Sequence, residues 1–377
     1  MNRPVSPSPS PSDLDQYRPP EPAGRRLRRL AGGIRKRKPR APTGGPTDGS
    51  AEMSMVPDAD FSSYYGRNIV KPPPWGHEVP AYLALGGIAG GSGLLALGAQ
   101  LTGRDILRRN TRLGALAAIS LGGAALVKDL GRPERFYNML RTVKLTSPMS
   151  IGSWILTAYS AGMGVAGIAE IDRMTGERLP LGPLRGVLQA VEPLAGFEAA
   201  AFGPPLAAYT AVLLSDTANP TWNAAHKDLP FVFVSSASLA ASGLAMITTP
   251  VRETGPARAL AIMGVVADIG FMKYMESRMD PTAAEPLHHG KAGRMLKQSE
   301  WLAIAGAVGT LLVGRTRLGA IASGICLVGA SSLTRFGVFE AGMDSARDPR
   351  YTVEPQRRRL AARRAAGITN DSITTAN

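Results

Sequence analysis

The sequence predicts an all-α polytopic membrane protein with eight transmembrane helices. Three observations carry this expectation. The 377 residues contain eight long stretches that are almost free of charge. Glycine crowds the first of them, at 86, 87, 90, 91 and 93. A soluble helix loses about 1 kcal/mol per glycine, whereas in lipid glycine lets backbones pack closely. Lys and Arg gather between the stretches, unevenly on the two sides. The mean hydropathy of −0.01 hides this pattern because it averages unlike parts.

The elements follow in order. Residues 1–60 read as a disordered, basic, Pro-rich arm. They open on the alternating Ser-Pro of 6–11 and hold 11 of the 30 prolines, with nine Lys/Arg in 25–40. Such a segment buries too little apolar surface to offset chain entropy. No apolar core follows the start, so it does not read as a cleavable signal. Arg25-Arg26 is too far from the first apolar run for a twin-arginine signal. A membrane domain is expected over 61–345 and a basic tail over 346–377.

The apolar runs are 81–101, 113–127, 148–169, 199–215, 229–250, 259–272 (broken only by Asp268), 301–314 and 318–334. A helix crossing the ~30 Å hydrocarbon core needs about 20 residues. Three runs reach that length. The shorter ones are flanked by Arg or Lys, whose stems can extend to the headgroups. Gly203, Pro204 and Pro205 are expected to break the fourth span, which a bilayer tolerates only where protein or a polar cavity covers the break. The loops on the side shared by both termini hold 19 Lys/Arg against 11 opposite. The positive-inside rule then puts both termini in the cytoplasm, with the chain in the plasma membrane. The net charge of +14 is explained by that membrane face, without nucleic acid.

Composition excludes several chemistries. One cysteine, Cys326, allows neither an intrachain disulfide framework nor a Cys-rich zinc site or iron–sulfur cluster held by this chain. No pair of histidines falls within the spans, which argues against haem; no metal site and no catalytic residue of the chain's own is expected. Polar groups at the spans are the informative ones. His77 and Glu78 open span one after Trp75, which reads as an interfacial anchor; they could exchange protons with a ligand or simply cap the helix. Lys128, Asp129, Arg132 and Glu134 alternate charge where span two ends, a pattern that an ion-pair network explains equally well. Tyr209 and Asp216 stand seven residues apart, so they share a face after two turns. Glu198 and Asp268 are costly in a bilayer, roughly 2.5–3.5 kcal/mol each at its centre, and must face the interior. Proton transfer is one reading of them, and a helix-to-helix hydrogen bond is the other. Lys273 is an imperfect partner for Asp268, five residues away.

These segments resemble the NrfD/PsrC family, the membrane subunits of polysulfide-reductase-type complexes. Pro72-Pro-Pro-Trp75 followed by Pro80-Ala-Tyr-Leu-Ala-Leu-Gly-Gly is similar to that family's first span. Lys128-Asp-Leu-Gly-Arg-Pro-Glu-Arg-Phe136 resembles the loop after span two, and Ser147-Pro-Met-Ser-Ile-Gly-Ser-Trp154 the start of span three. Tyr209-Thr-Ala-Val-Leu-Leu-Ser-Asp-Thr-Ala-Asn-Pro-Thr-Trp222 resembles the end of span four. The resemblance covers about residues 61–355, and the ending after Asp348 looks like actinobacterial members.

The resemblance implies two four-helix bundles and a menaquinone or ubiquinone site in the first, with no haem or cluster in this chain. It implies a four-cluster ferredoxin-like iron–sulfur subunit and a molybdopterin catalytic subunit as partners, beside the bilayer. Carried over by position, His77, Glu78, Asp129 and Tyr209 would line the quinone site, and Arg132 would shape it or the docking face. From their own chemistry, Glu198, Asp216 and Asp268 are the candidates to carry protons. The chain would be a quinone-reactive membrane anchor, its terminal substrate chosen by the missing catalytic subunit. Two other readings stay open: a secondary transporter with a midplane site at the Pro-broken span, and an anchor without redox role.

Overall fold

The computed structural model describes residues 68–367. The arm expected over 1–60 lies outside the described residues. The described residues are helical, with no strand among them. In chain order the helices are α1 (Glu78–Leu101), α2 (Asp105–Asp129), α3 (Pro148–Met174), α4 (Leu184–Ser215), a short α5 (Pro220–Ala224), α6 (Leu229–Thr248), α7 (Gly255–Arg278), a short α8 (Pro281–Ala284), α9 (Gly290–Leu312), α10 (Arg317–Arg347) and α11 (Arg350–Ala365). A 3₁₀ segment, Pro133–Leu140, lies between α2 and α3.

Seven of these helices are long and apolar enough to cross a membrane: α1, α2, α3, α4, α6, α7 and α10. The expected count of eight depends on α9. Its first three turns carry Lys291, Arg294, Lys297 and Glu300, and its apolar part begins only at Trp301.

Packing divides the eight long helices into two rings of four. Helices α1, α2, α3 and α4 each touch the next and close on α1; α6, α7, α9 and α10 do the same. Helices α1 and α4 join the rings by packing on α6. Small residues make the close approaches. A methyl placed on Gly90 would meet the carbonyl of Gly203 at 2.5 Å, so α1 and α4 touch backbone to backbone. Gly243 and Gly324 bring α6 and α10 together in the same way.

Helix α4 runs unbroken from Leu184 to Ser215 with Pro193, Pro204 and Pro205 inside it. This corrects the expected break. Each proline removes one N–H donor, yet its fixed φ suits a helix, and the Gly90–Gly203 contact holds α1 against this stretch. The transporter reading loses the interrupted span on which it rested.

The two ends of the bundle differ. One end carries residues 130–147, α5, α8 and α11. Helix α11, within the expected basic tail, is tied there by Arg350 to Glu285 (2.5 Å) and by Arg358 to Asp280 (3.0 Å). The opposite end has tight turns at 102–104, 249–254 and 313–316, and the segment 175–183. At that end Glu253 caps α2 by accepting from the Leu107 N–H at 2.9 Å.

Candidate functional site

At the α11 end, the seam between α3 and α4 opens into a cleft of about 460 Å³. Its walls are Leu145, Thr146, Pro148, Ile151 and Ile155 on one side and Pro205, Ala208, Tyr209, Val212 and Asp216 on the other. Helix α3 is set at the cleft by Pro148 in its first turn and by Ser147, whose hydroxyl accepts from the Ser150 N–H. Gly152 leaves room for the Tyr209 ring, which any side chain there would strike. Ile151 and Val212 are exposed, so the cleft opens on the outer surface of the bundle.

Tyr209 and Asp216, two turns apart on α4, line the same cleft as their spacing predicts. The Tyr209 hydroxyl has no hydrogen-bond partner among the described residues. The site therefore offers one free donor and one carboxylate in apolar walls.

The other expected quinone residues form a separate group at the same end. Glu78 starts α1 and pairs with Lys128 at the end of α2, at 3.2 Å. His77 is the exposed N-cap residue of α1, and its side chain makes no capping bond. Asp129 is half-buried, and Arg132 is exposed just before the 3₁₀ segment. None of these four lines the cleft. Val79 on α1 and Tyr209 nevertheless belong to one apolar core.

The three expected proton-transfer acids are scattered. Only Asp216 lies at the cleft. Glu198 is half-buried on α4, its carboxylate filling the notch left by Gly162 of α3. Asp268 is buried on α7, in the second ring. Lys273 is not its partner, for it pairs with Glu300 at 3.6 Å.

Trp75, expected as an interfacial anchor, is half-buried and packs against other aromatics. It stacks on Trp222 (centroids 5.9 Å apart) and Phe339 (6.4 Å), and Trp222 donates its indole N–H to the Val338 carbonyl at 2.7 Å. A buried indole needs such a partner; this bond ties α5 to α10, and the Trp75 stacking holds the segment before α1 against both.

Three buried polar features escaped the sequence reading. Arg335 of α10, fully buried, donates to the carbonyls of Leu83 (2.8 Å) and Phe233 (2.7 Å) and lies over the Phe233 ring. Tyr82, one turn after Glu78, has a buried hydroxyl without a partner. At the opposite end, Arg112 donates to Glu170 (2.9 Å), Gln100 (2.6 Å) and Glu192, while Arg108 reaches Glu170 (2.8 Å) and Arg173 reaches both acids. The signal was the i,i+4 spacing of Arg108 and Arg112, which read as loop charge because helix α2 starts earlier than the apolar run.

A second cavity, about 370 Å³, lies between α7, α9 and α10. Asp268, Lys273, Glu276, His288, Lys297 and Glu300 line it, a charged wall unsuited to a quinone ring. Among the described residues no group of three His, Cys, Asp or Glu could hold a metal ion.

No curated protein matches the chain. The family described as polysulphide reductase, NrfD, matches residues 67–276, more than half the chain and nearly all of α1 to α7. With seven helices suited to crossing a bilayer, the chain is thus an integral membrane protein that belongs to the NrfD family.

Proposed function

We propose that the α3/α4 cleft binds the head of a quinone from the bilayer. The chain would exchange electrons between the menaquinone or ubiquinone pool and an iron–sulfur partner of a molybdopterin oxidoreductase. The observation that carries this reading is the pair Tyr209 and Asp216 on one wall of a mainly apolar cleft that opens on the outer surface of the bundle.

The chemistry suits these groups. A quinone needs an apolar slot for its ring, a donor for a carbonyl and an acceptor for its protons. Ile151, Ile155 and Val212 supply the slot. The Tyr209 hydroxyl donates to the carbonyl oxygen. Oxidation of the quinol releases two electrons and two protons, and Asp216, at the C-terminal end of α4, takes a proton toward the α11 end. Glu78 with Lys128, His77, Asp129 and Arg132 stand at that end as the next groups to relay protons or meet the partner. Glu198 and Asp268 lie apart from this route, so Asp216 is the acid assigned to the cleft. The Lys/Arg bias turns the α11 end to the cytoplasm.

The test is gentle purification from native membranes, followed by quinone turnover of the complex with Tyr209→Phe and Asp216→Asn. Co-purified quinone with an iron–sulfur and a molybdopterin subunit, and turnover lowered at least fivefold in both variants, support the reading. A protein that purifies alone and without quinone, after checks for detergent loss, sinks it.

A further inference from the structure

The charged cavity of the second ring plays no part in the quinone reading, and it contains a buried acid without a partner, Asp268, and an exposed cation that pairs with no protein group, Lys297. Asp268, 5% exposed, keeps a buried Oδ1 that accepts no hydrogen bond. The buried cation nearby, Arg335, gives Nη1 and Nη2 to the Leu83 and Phe233 carbonyls, and its buried Nε bonds neither Asp268 nor any other described residue. Lys297 on α9 makes no ion pair or hydrogen bond. The remaining polar groups of the wall already face one another. Lys273 pairs with Glu300, His288 lies 3.8 Å from Glu276, and Ser299 bonds Thr334 at 2.7 Å.

The level of the cavity is marked on the outer surface. Tyr274 of α7 and Trp301 of α9 are exposed aromatics with polar tips, the residue types that gather at the headgroup level of a bilayer. On α9 the charged turns end at Trp301, and exposed Ile304, Val308 and Leu311 follow. The Lys297 side of the cavity thus stands one turn from Trp301, where the charged part of α9 gives way to its apolar part.

We propose that this cavity binds the headgroup of an aminophospholipid, its primary ammonium on Asp268 and its phosphodiester on Lys297. The glycerol end lies over Ile269, Met272 and Leu296, the apolar part of the same wall. The ammonium gives Asp268 Oδ1 the donor it lacks, and a buried acceptor left unmade is costly. A choline headgroup has no N–H to give, and a headgroup without a cation would set a further negative charge near Asp268. The cavity volume falls within the ~300–1,000 Å³ of small-ligand sites. The bound lipid completes the seam between α7 and α9.

The test uses the full chain in nanodiscs containing equal phosphatidylethanolamine, phosphatidylcholine and phosphatidylglycerol, with native mass spectrometry of the lipids that stay bound. The wild-type protein is expected to retain phosphatidylethanolamine about tenfold over the other two. Asp268→Asn should bring phosphatidylethanolamine down to the level of phosphatidylcholine, and Lys297→Gln should weaken its retention several-fold. The headgroup preference of the wild type is readable whether or not the variants fold. Equal retention of the three lipids overturns the proposal, as does a preference that survives Asp268→Asn. A protein that retains no phospholipid overturns it as well.

Discussion

Tyr209→Phe takes one hydroxyl from the α3/α4 cleft and leaves the ring that fills the space beside Gly152. A hydrogen bond of this kind contributes about 1 kcal/mol, or roughly 1.5–3 when one partner carries charge. The expected result is a fivefold to hundredfold loss in quinone kcat/KM, with assembly and unfolding temperature unchanged. Gly152→Val should do more, because its side chain must displace the Tyr209 ring and close the cleft; quinone retained on purification measures this. The shared face of Tyr209 and Asp216 was legible because helical spacing alone sets it. The separation of His77, Glu78, Asp129 and Arg132 from that face was not, since it depends on how α1 and α2 pack beside α4. Arg335 was equally hidden: its partners are carbonyls, which leave no mark in side-chain spacing.

Helix α2 shows how an apolar run differs from the helix that contains it. The run starts at 113 but the helix starts at Asp105, so Arg108 and Arg112 lie inside it and face Glu170 and Glu192. Arg112→Met leaves these buried carboxylates with only the more exposed Arg108 and Arg173. Removing one partner of a buried ion pair costs roughly 3–5 kcal/mol, and the remaining arginines should hold the loss near the lower figure. Thermal unfolding in detergent reads this, and Glu192→Gln should cost less because Glu170 still pairs with Arg112. Helix α4 teaches the reverse lesson. Its prolines suggested a break, yet a helix whose neighbours press on it can carry them. Gly90→Val tests that support: the added side chain meets the Gly203 carbonyl, and α1 must move off α4. The expected outcome is loss of the folded protein from the membrane, measured by its yield and unfolding temperature. Helix α9 is the case where sequence length misled least and composition most, since its charged turns serve a cavity wall.

At the scale of the molecule, the two rings meet where α1 and α4 pack on α6, and Arg335 bonds one carbonyl from each ring. Arg335→Met keeps much of the packing volume but leaves the Leu83 and Phe233 carbonyls without that donor. It should make cleavage of the α4–α6 connection faster under limited proteolysis while each ring stays helical. The all-helical class and the order of the spans were legible in the sequence because each follows from composition within one segment. The pairing of helices into rings was reached only through resemblance to a family, because it rests on glycine contacts between distant segments. The asymmetry of the two ends follows from that assembly, and it gathers the cleft, Glu78 and α11 at one end. The quinone is proposed to bind between α3 and α4. A photoreactive quinone analogue, cross-linked in native membranes and mapped by mass spectrometry, tests this most directly. Labels on 145–155 and 205–216, lost when natural quinone competes, are the predicted result. Competable labels confined to α7 and α9, or labelling that natural quinone does not displace, would contradict it.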